Sequence, residues 1–563
     1  MPGIIDRNTL ILAVEGYATQ QSYLAGETVG FHCSSTAPTF SAEVARIGAT
    51  REVVWRRDDI IGVVQPVPRD AYATGCGWPV TFTIPTHTSW RSGFYEVTLR
   101  ANPASRASRA SRASRASRAS RASRASRADG VDGVDGVDDR VNGVDGVDEP
   151  EATSNAFFVI RPRPDTNAQR ILLVLATNTY NAYNKWGGKC LYTGATHLSF
   201  QRPMDRGFLT RPDAEFDGRI ASTEPDGEPG HQRLLDYLEQ NKYPMWCSSS
   251  GWHNWERRFV RWAESTGFEI DVAVNSDLER HVDVLDGCAL VVSVGHDEYW
   301  SSAMRDTLDS FVARGGNLAI FSGNTSFWQV RLEDDGATMV CFKGRASRLD
   351  PVMGTEKQHL LTSFWSDPLI GRPETTTTGL TFTRGGYARI GRGTPRSSGA
   401  FTVYRPHHWA FDGTELCYGD ALGLGSYIVG YEVDGCTYTL HQGLPVPTHE
   451  DGAPASLTIL ATAPARLLSR TDCYSEIPEA LWADTSGPGD LEGVAIGLFG
   501  DASPENTAKI AHGSAVIACF ARGAGTVFNV GTTDWAYGLD ADATVQRVTA
   551  NVLRRLTGRS TTT

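Results

Sequence analysis

Two hydrophobic rhythms divide the chain. Up to about residue 162, short runs rich in Val, Thr, Phe and Tyr recur at Thr28–Cys33, Ala42–Ile47, Val80–Ile84, Phe94–Leu99 and Phe157–Arg161. Pro and Gly punctuate the gaps, and no 3.6-residue period is sustained. Short strands separated by turn residues predict a β-sandwich over 1–162. From about 163 the rhythm changes. Arg170–Ala176 is a near-continuous apolar run, as a buried parallel strand requires. Trp255–Glu264 has amphipathic helical spacing, and Phe268–Val274 and Ala289–Val294 read as strands. Ser301 is placed to cap a helix to Arg314, Gly315-Gly316 ends it, and Leu318–Phe321 is the next strand. This alternation predicts an α/β domain over 163–563. Residues about 345–480 lose the helical pattern and turn Gly-, Thr- and Tyr-rich, predicting a β-rich insertion. The α/β pattern returns with Ala515–Ala521, Gly525–Gly531 and a helix over Asp542–Leu556.

Composition changes this picture in one place. Ala104–Arg127 is Ala-Ser-Arg repeated eight times, and a Val-Asp-Gly repeat follows over Asp129–Asp148. The segment 104–151 holds nine arginines and nine acidic residues, so the net charge of −12 belongs to the rest of the chain. An acidic body argues against nucleic acid as a partner, because phosphate binding rests on clustered cations. The repeats fall between two predicted strands and read as an expansion in one hairpin loop. No apolar run approaches the ~20 residues of a membrane span. Met1–Arg7 lacks a basic-then-apolar leader pattern, so a cytoplasmic protein is expected. The ten cysteines include no CxxC pair and read as reduced, structural thiols.

Ligands of open α/β sheets bind beyond the carboxyl ends of the strands. Four such places carry polar and aromatic residues together: Thr177–Gly188, Gly295–Ser301, Ser322–Arg331 and Gly531–Trp535. The second, Gly295-His296-Asp297-Glu298-Tyr299-Trp300, has the strand–glycine turn–helix order of a nucleophile elbow but no Ser or Cys at its tip. His, carboxylate and phenol are acid–base and metal-ligand types. No GxSxG, HExxH, P-loop or GxGxxG occurs. Trp252, Trp255, Trp300, Trp328, Trp409 and Trp535 are candidates for lining a dry pocket or for ordinary core.

These stretches carry a resemblance. LATNTYNAYNKWGGKCLY (175–192), FQRPMDRGFL (200–209), GWHNWERRFVRWAE (251–264), VGHDEYWSSAMRD (294–306), FSGNTSFWQVR (321–331), MVCFK (339–343), VGYEVDG (429–435) and VFNVGTTDWAYGL (527–539) resemble the N,N-dimethylformamidase large (beta) subunit family. The resemblance implies an amidohydrolase acting on a small-molecule amide. It also implies a mononuclear Fe³⁺ held by two tyrosinates and one glutamate, in a glutamine-amidotransferase-like, flavodoxin-like α/β fold. Carried over, Tyr299 is the first phenolate and Glu432 the carboxylate, with Asp412 the other candidate. Phe342 of MVCFK stands where the second tyrosine is expected. Because phenylalanine has no oxygen donor, an inactive member serving as a binding or structural module is the alternative expectation. His296, Asp297 and Glu298 are expected to move protons, and Asn324 to donate to an oxyanion. The family's enzyme also implies a small subunit or a homo-oligomer as partner.

Overall fold

The computed structural model describes residues 13–102, 153–165, 169–212, 230–388, 398–469 and 489–558. The repeat segment 104–151 and the start of the chain lie outside them.

Near the N-terminus two sheets face each other. One joins Val14–Ala18, Thr28–Ser35 and Phe82–Pro85, all antiparallel. The other has the spatial order Ser22–Leu24, Thr153–Arg161, Gly93–Ala101, Thr39–Ile47, Arg51–Ile61. Period-two alternation sorts their side chains: Phe82 and Ile84 are buried while Thr83 and Pro85 are exposed. Phe31, Phe40, Phe82, Tyr95, Val97 and Phe158 share one core between the sheets. Gly93–Ala101 pairs antiparallel with Thr153–Arg161, the two strands that flank the repeat segment. This pair is buried on both faces. Phe94 and Phe157 point the other way, where Phe94 stacks on Trp252 at 4.1 Å and Phe157 meets Tyr180 edge-on. A solvent-facing side would not need so apolar a run as GFYEVTLRA.

The main sheet has nine strands among the described residues. Five are parallel, in spatial order Ile270–Val274, Arg170–Leu175, Cys288–His296, Asn317–Gly323 and Gly525–Asn529. In chain order this is 2-1-3-4-5, and connections reverse between Arg170–Leu175 and Cys288–His296. A crevice for a ligand opens at such a reversal, beyond the strands' carboxyl ends. Four antiparallel strands continue the sheet: Gly513–Arg522, Thr458–Ala465, Phe401–Val403 and Ala421–Leu422. Part of the β-rich stretch therefore extends the main sheet. Another strand from it, Tyr431–Gly435, pairs with Thr381–Ala388 and lies over the end of Asn317–Gly323.

Helices cover the sheet as the apolar spacing requires. Ser302–Ala313 begins at Ser301, whose hydroxyl accepts from the Met304 amide at 3.2 Å. Ala543–Leu556 begins at Asp542, which accepts from Thr544 and Val545. Among the described residues no helix is long and apolar enough to cross a membrane, and the nine described cysteines are all free thiols.

Candidate active site

The strand Cys288–His296 runs two residues past the apolar pattern, so its glycine turn falls inside the sheet register. Gly295 has φ +81°, and a Cβ there would lie 2.6 Å from the Trp255 Cβ. Only glycine lets the chain pass Trp255 and turn. The next residues diverge. Asp297 turns into the protein, accepting from Asn275 Nδ2 at 3.2 Å and Ser293 Oγ at 2.9 Å, and burial pushes its carboxyl up to about 6. It ties the turn back to its own strand and to Asn275, just past the strand Ile270–Val274. His296 and Glu298 turn toward the crevice.

Glu298 is the centre of a buried oxygen cluster. Its Oε2 accepts from the Tyr183 hydroxyl at 3.1 Å and lies 2.9 Å from the Tyr192 hydroxyl, and its Oε1 accepts from Trp328 Nε1 at 2.8 Å. The two phenols lie 2.6 Å apart. Tyr183 ends the helix Thr177–Tyr183 that follows the first parallel strand, and Tyr192 sits in the short turn Leu191–Thr193. Trp246 packs on both rings. Burial, then the neighbouring Glu298 charge, raises both phenols well above their usual range. Burial likewise raises Glu298. Such a set keeps its protons unless a cation replaces them.

His296 stands between two carboxylates. Nε2 lies 2.7 Å from Glu432 Oε2 and 3.3 Å from Glu298 Oε2, and Nδ1 is 2.8 Å from the Ser249 carbonyl and 3.2 Å from the Tyr431 hydroxyl. Burial alone would depress the imidazole; Glu432, with Glu298 behind it, outweighs burial and raises it to about 9. Asn324 Nδ2 donates to Glu432 Oε2 at 3.1 Å, while its Oδ1 is buried without a partner.

The remaining carried-over positions are distributed differently. The Tyr299 hydroxyl donates to Tyr192 at 2.9 Å and accepts from Lys343 Nζ at 3.1 Å, so it stands behind Tyr192 and not on a carboxylate. The Phe342 ring packs with Val340, Ala346, Leu361, Trp365 and Ile370, edge-on to His197, outside the oxygen cluster. The next residue, Lys343, is the one that enters: its ammonium lies 3.6 Å from the Tyr192 ring centroid and 4.9 Å from that of Trp328. Asp412 is exposed beyond the turn Trp409–Phe411. The structure thus brings together His296, Glu298, Asn324 and Glu432, and adds Tyr183, Tyr192 and Lys343. Only Trp328 of the six singled-out tryptophans bonds to Glu298; Trp252 stacks on Phe94, Trp535 on Phe321, and Trp300 joins the core beside Met304. The fourth strand end is a support: Thr533 N donates to the Glu432 carbonyl at 3.1 Å, and Trp255 Nε1 to Asp534 at 3.1 Å.

Among the described residues no group of three or more His, Cys, Asp and Glu side chains is arranged to hold a metal ion. The oxygen donors at this cluster include phenols. Two phenols and a carboxylate on one point form a hard, anionic oxygen set.

No curated protein matches the chain. The family model described as N,N-dimethylformamidase beta subunit-like, C-terminal, matches residues 41–549. That span takes in most of the N-terminal sheets, the whole main sheet and every residue of the site. The chain belongs to the N,N-dimethylformamidase beta subunit-like family.

Proposed function

We propose that this protein is a hydrolase of small amides, cleaving the C–N bond of a formamide-like substrate with water. The observation that carries the reading is the convergence of Tyr183, Tyr192 and Trp328 on Glu298, with His296 between Glu298 and Glu432. We read the architecture as an N-terminal β-sandwich, 1–162, and a glutamine-amidotransferase-like, flavodoxin-like α/β domain, 163–563, with a β-rich insertion. The 2-1-3-4-5 strand order supports it. Free, mostly buried thiols agree with a cytoplasmic protein.

Tyr183, Tyr192 and Glu298 are the residues that would hold a mononuclear ferric ion. Such an ion supplies Lewis acidity toward the amide carbonyl and lowers the pKa of water. The chain's own groups do the rest. Glu432, 2.7 Å from His296, is placed to take a proton from the attacking water. Through His296 that proton passes to the leaving nitrogen as the C–N bond breaks, giving a carboxylic acid and an amine. The unpartnered Oδ1 of Asn324 is an acceptor free to orient the water. The half-buried Lys343 ammonium offers positive potential to the oxygen that gains charge. Aromatic rings of Trp246, Trp328 and Tyr431 exclude water, which strengthens each of these terms.

The alternative is an inactive member serving as a binding or structural module; Phe342, at the position of an expected tyrosine, packs with Val340, Leu361 and Trp365. The test is direct. Purified protein loaded with ferric iron is assayed for amine release from formamide, N-methylformamide and N,N-dimethylformamide, beside Glu298→Gln. Turnover by wild type and its loss in the variant is expected; equal activity in both overturns the reading.

A further inference from the structure

Both phenols of the site come from one stretch, 177–193, which is held by N-terminal residues on one strand, Val14–Ala18, and on the segment 71–78. Trp186, between Tyr183 and Tyr192 in sequence, is buried in a cluster with Tyr17, Ala71, Cys76 and Trp78. Its Nε1 donates to Glu15 Oε1 at 3.2 Å, on the strand Val14–Ala18, and its ring meets Trp78 edge-on at 5.9 Å. Beside it, Gly187 has φ +84°, and a Cβ there would lie 2.8 Å from the Tyr72 backbone nitrogen. Gly187 is thus in close contact with the backbone of the short helix Ala71–Thr74. From the other side the buried Arg202 guanidinium binds the carbonyls of Asn181, Asn184 and Trp186 at 3.2, 3.0 and 2.8 Å. Asn184 Oδ1 closes the arrangement, accepting from the amides of Trp186 and Asp205.

We infer that Trp186 is a positioning residue: packed against the N-terminal residues Tyr17, Ala71, Cys76 and Trp78 and held by Glu15, it sets the separation of the Tyr183 and Tyr192 hydroxyls. The metal-binding consequence rests on the proposed function; the mechanical one does not. The backbone just after Tyr183 has one buried arginine on one side and a tryptophan anchored in another sheet on the other. A pair of hydroxyls 2.6 Å apart tolerates little drift of either backbone, and groups that orient metal ligands typically carry 10–100-fold in affinity. The N-terminal sheets are on this reading part of the active site's scaffold.

The test uses the full chain and four variants. Trp186→Phe keeps one aromatic ring and loses the Nε1–H with the rest of the indole; Glu15→Leu loses the acceptor with no change at Trp186; Glu15→Gln keeps one; Glu298→Gln reports on the oxygen cluster itself. Amide hydrogen exchange of the metal-free proteins is expected to rise at least tenfold in peptides covering 177–193 for Trp186→Phe and Glu15→Leu. Peptides covering 288–296 should stay unchanged, and Glu15→Gln should match wild type. Ferric-iron affinity by chelator competition should fall about tenfold in the first two variants, with a shifted visible band. Unchanged exchange over 177–193 overturns the inference, as does wild-type iron affinity and band in Trp186→Phe. If Glu298→Gln leaves iron binding unaltered, the proposed metal site fails instead, and the exchange experiment decides the positioning role alone.

Discussion

His296 and Glu432 meet at 2.7 Å, Nε2 to Oε2, with their side chains 0% and 6% exposed. Both are contributed by segments that lie 136 residues apart, by subtraction of their numbers. Asn324 fixes the carboxylate from a third segment. Replacing Glu432 by Gln preserves shape and removes the proton acceptor. Amide hydrolysis is expected to fall by about 10²–10³ in kcat. Iron content should be unchanged, because Glu432 is outside the Tyr183–Tyr192–Glu298 set. Loss of iron in the variant would instead make Glu432 a ligand.

Tyr299 and the two phenols in front of it separate by the same logic. Tyr299→Phe removes a donor to Tyr192 and leaves Glu298, Tyr183 and Tyr192 in place. Iron is expected to remain bound with a shifted phenolate-to-iron band. Tyr183→Phe and Tyr192→Phe should each lose at least tenfold in iron affinity. Metal analysis and visible spectra of the three proteins check this; iron lost in Tyr299→Phe alone would return the ligand role to Tyr299.

These assignments mark where the sequence is readable. The parallel strands were legible because burial on both faces leaves a continuous apolar run, as in Ile171–Leu175. The helix starting at Ser302 was legible because its cap is local. His296, Glu298, Asn324 and Glu432 stood at strand ends or in quoted motifs. Tyr192 and Lys343 close two of those motifs, but their roles were not legible. Each lies in a short irregular turn without periodicity, and its role depends on contacts with residues more than 40 positions away. Nor does a motif show that the neighbours Phe342 and Lys343 have different surroundings, an apolar cluster for one and the Tyr192 ring for the other. The strand Arg51–Ile61 went unread because its mostly exposed residues, Arg, Glu and Asp among them, mask any alternation.

Phe342→Tyr follows from the different surroundings of Phe342 and Lys343. The ring that would carry the new hydroxyl packs with Val340, Ala346, Leu361, Trp365 and Ile370 and edge-on to His197. Iron content and activity are expected to be unchanged, with a stability loss of about 1–3 kcal/mol from an unpaired buried hydroxyl. Denaturant titration measures the loss. A rise in bound iron would place residue 342 at the metal after all.

Glu15 gives the protein a pH dependence distant from the chemistry. Burial raises its carboxyl from the ordinary 4.5 to about 7, opposed by the hydrogen bond from Trp186. A folded-state pKa above the unfolded one means that the native protein holds the proton more tightly. The stability this contributes is full below about pH 4.5 and is lost as pH rises toward 7. With 1.36 kcal/mol per pKa unit, the loss is at most about 3.4 kcal/mol. Glu15→Gln carries no titrating group and retains an acceptor for Trp186. Relative to wild type it should gain stability progressively between pH 5 and 8 and level off above. Paired melting curves at pH 5, 6, 7 and 8 test the sign: a difference that is flat, or largest at pH 5, would show that Glu15 is not held protonated by its surroundings.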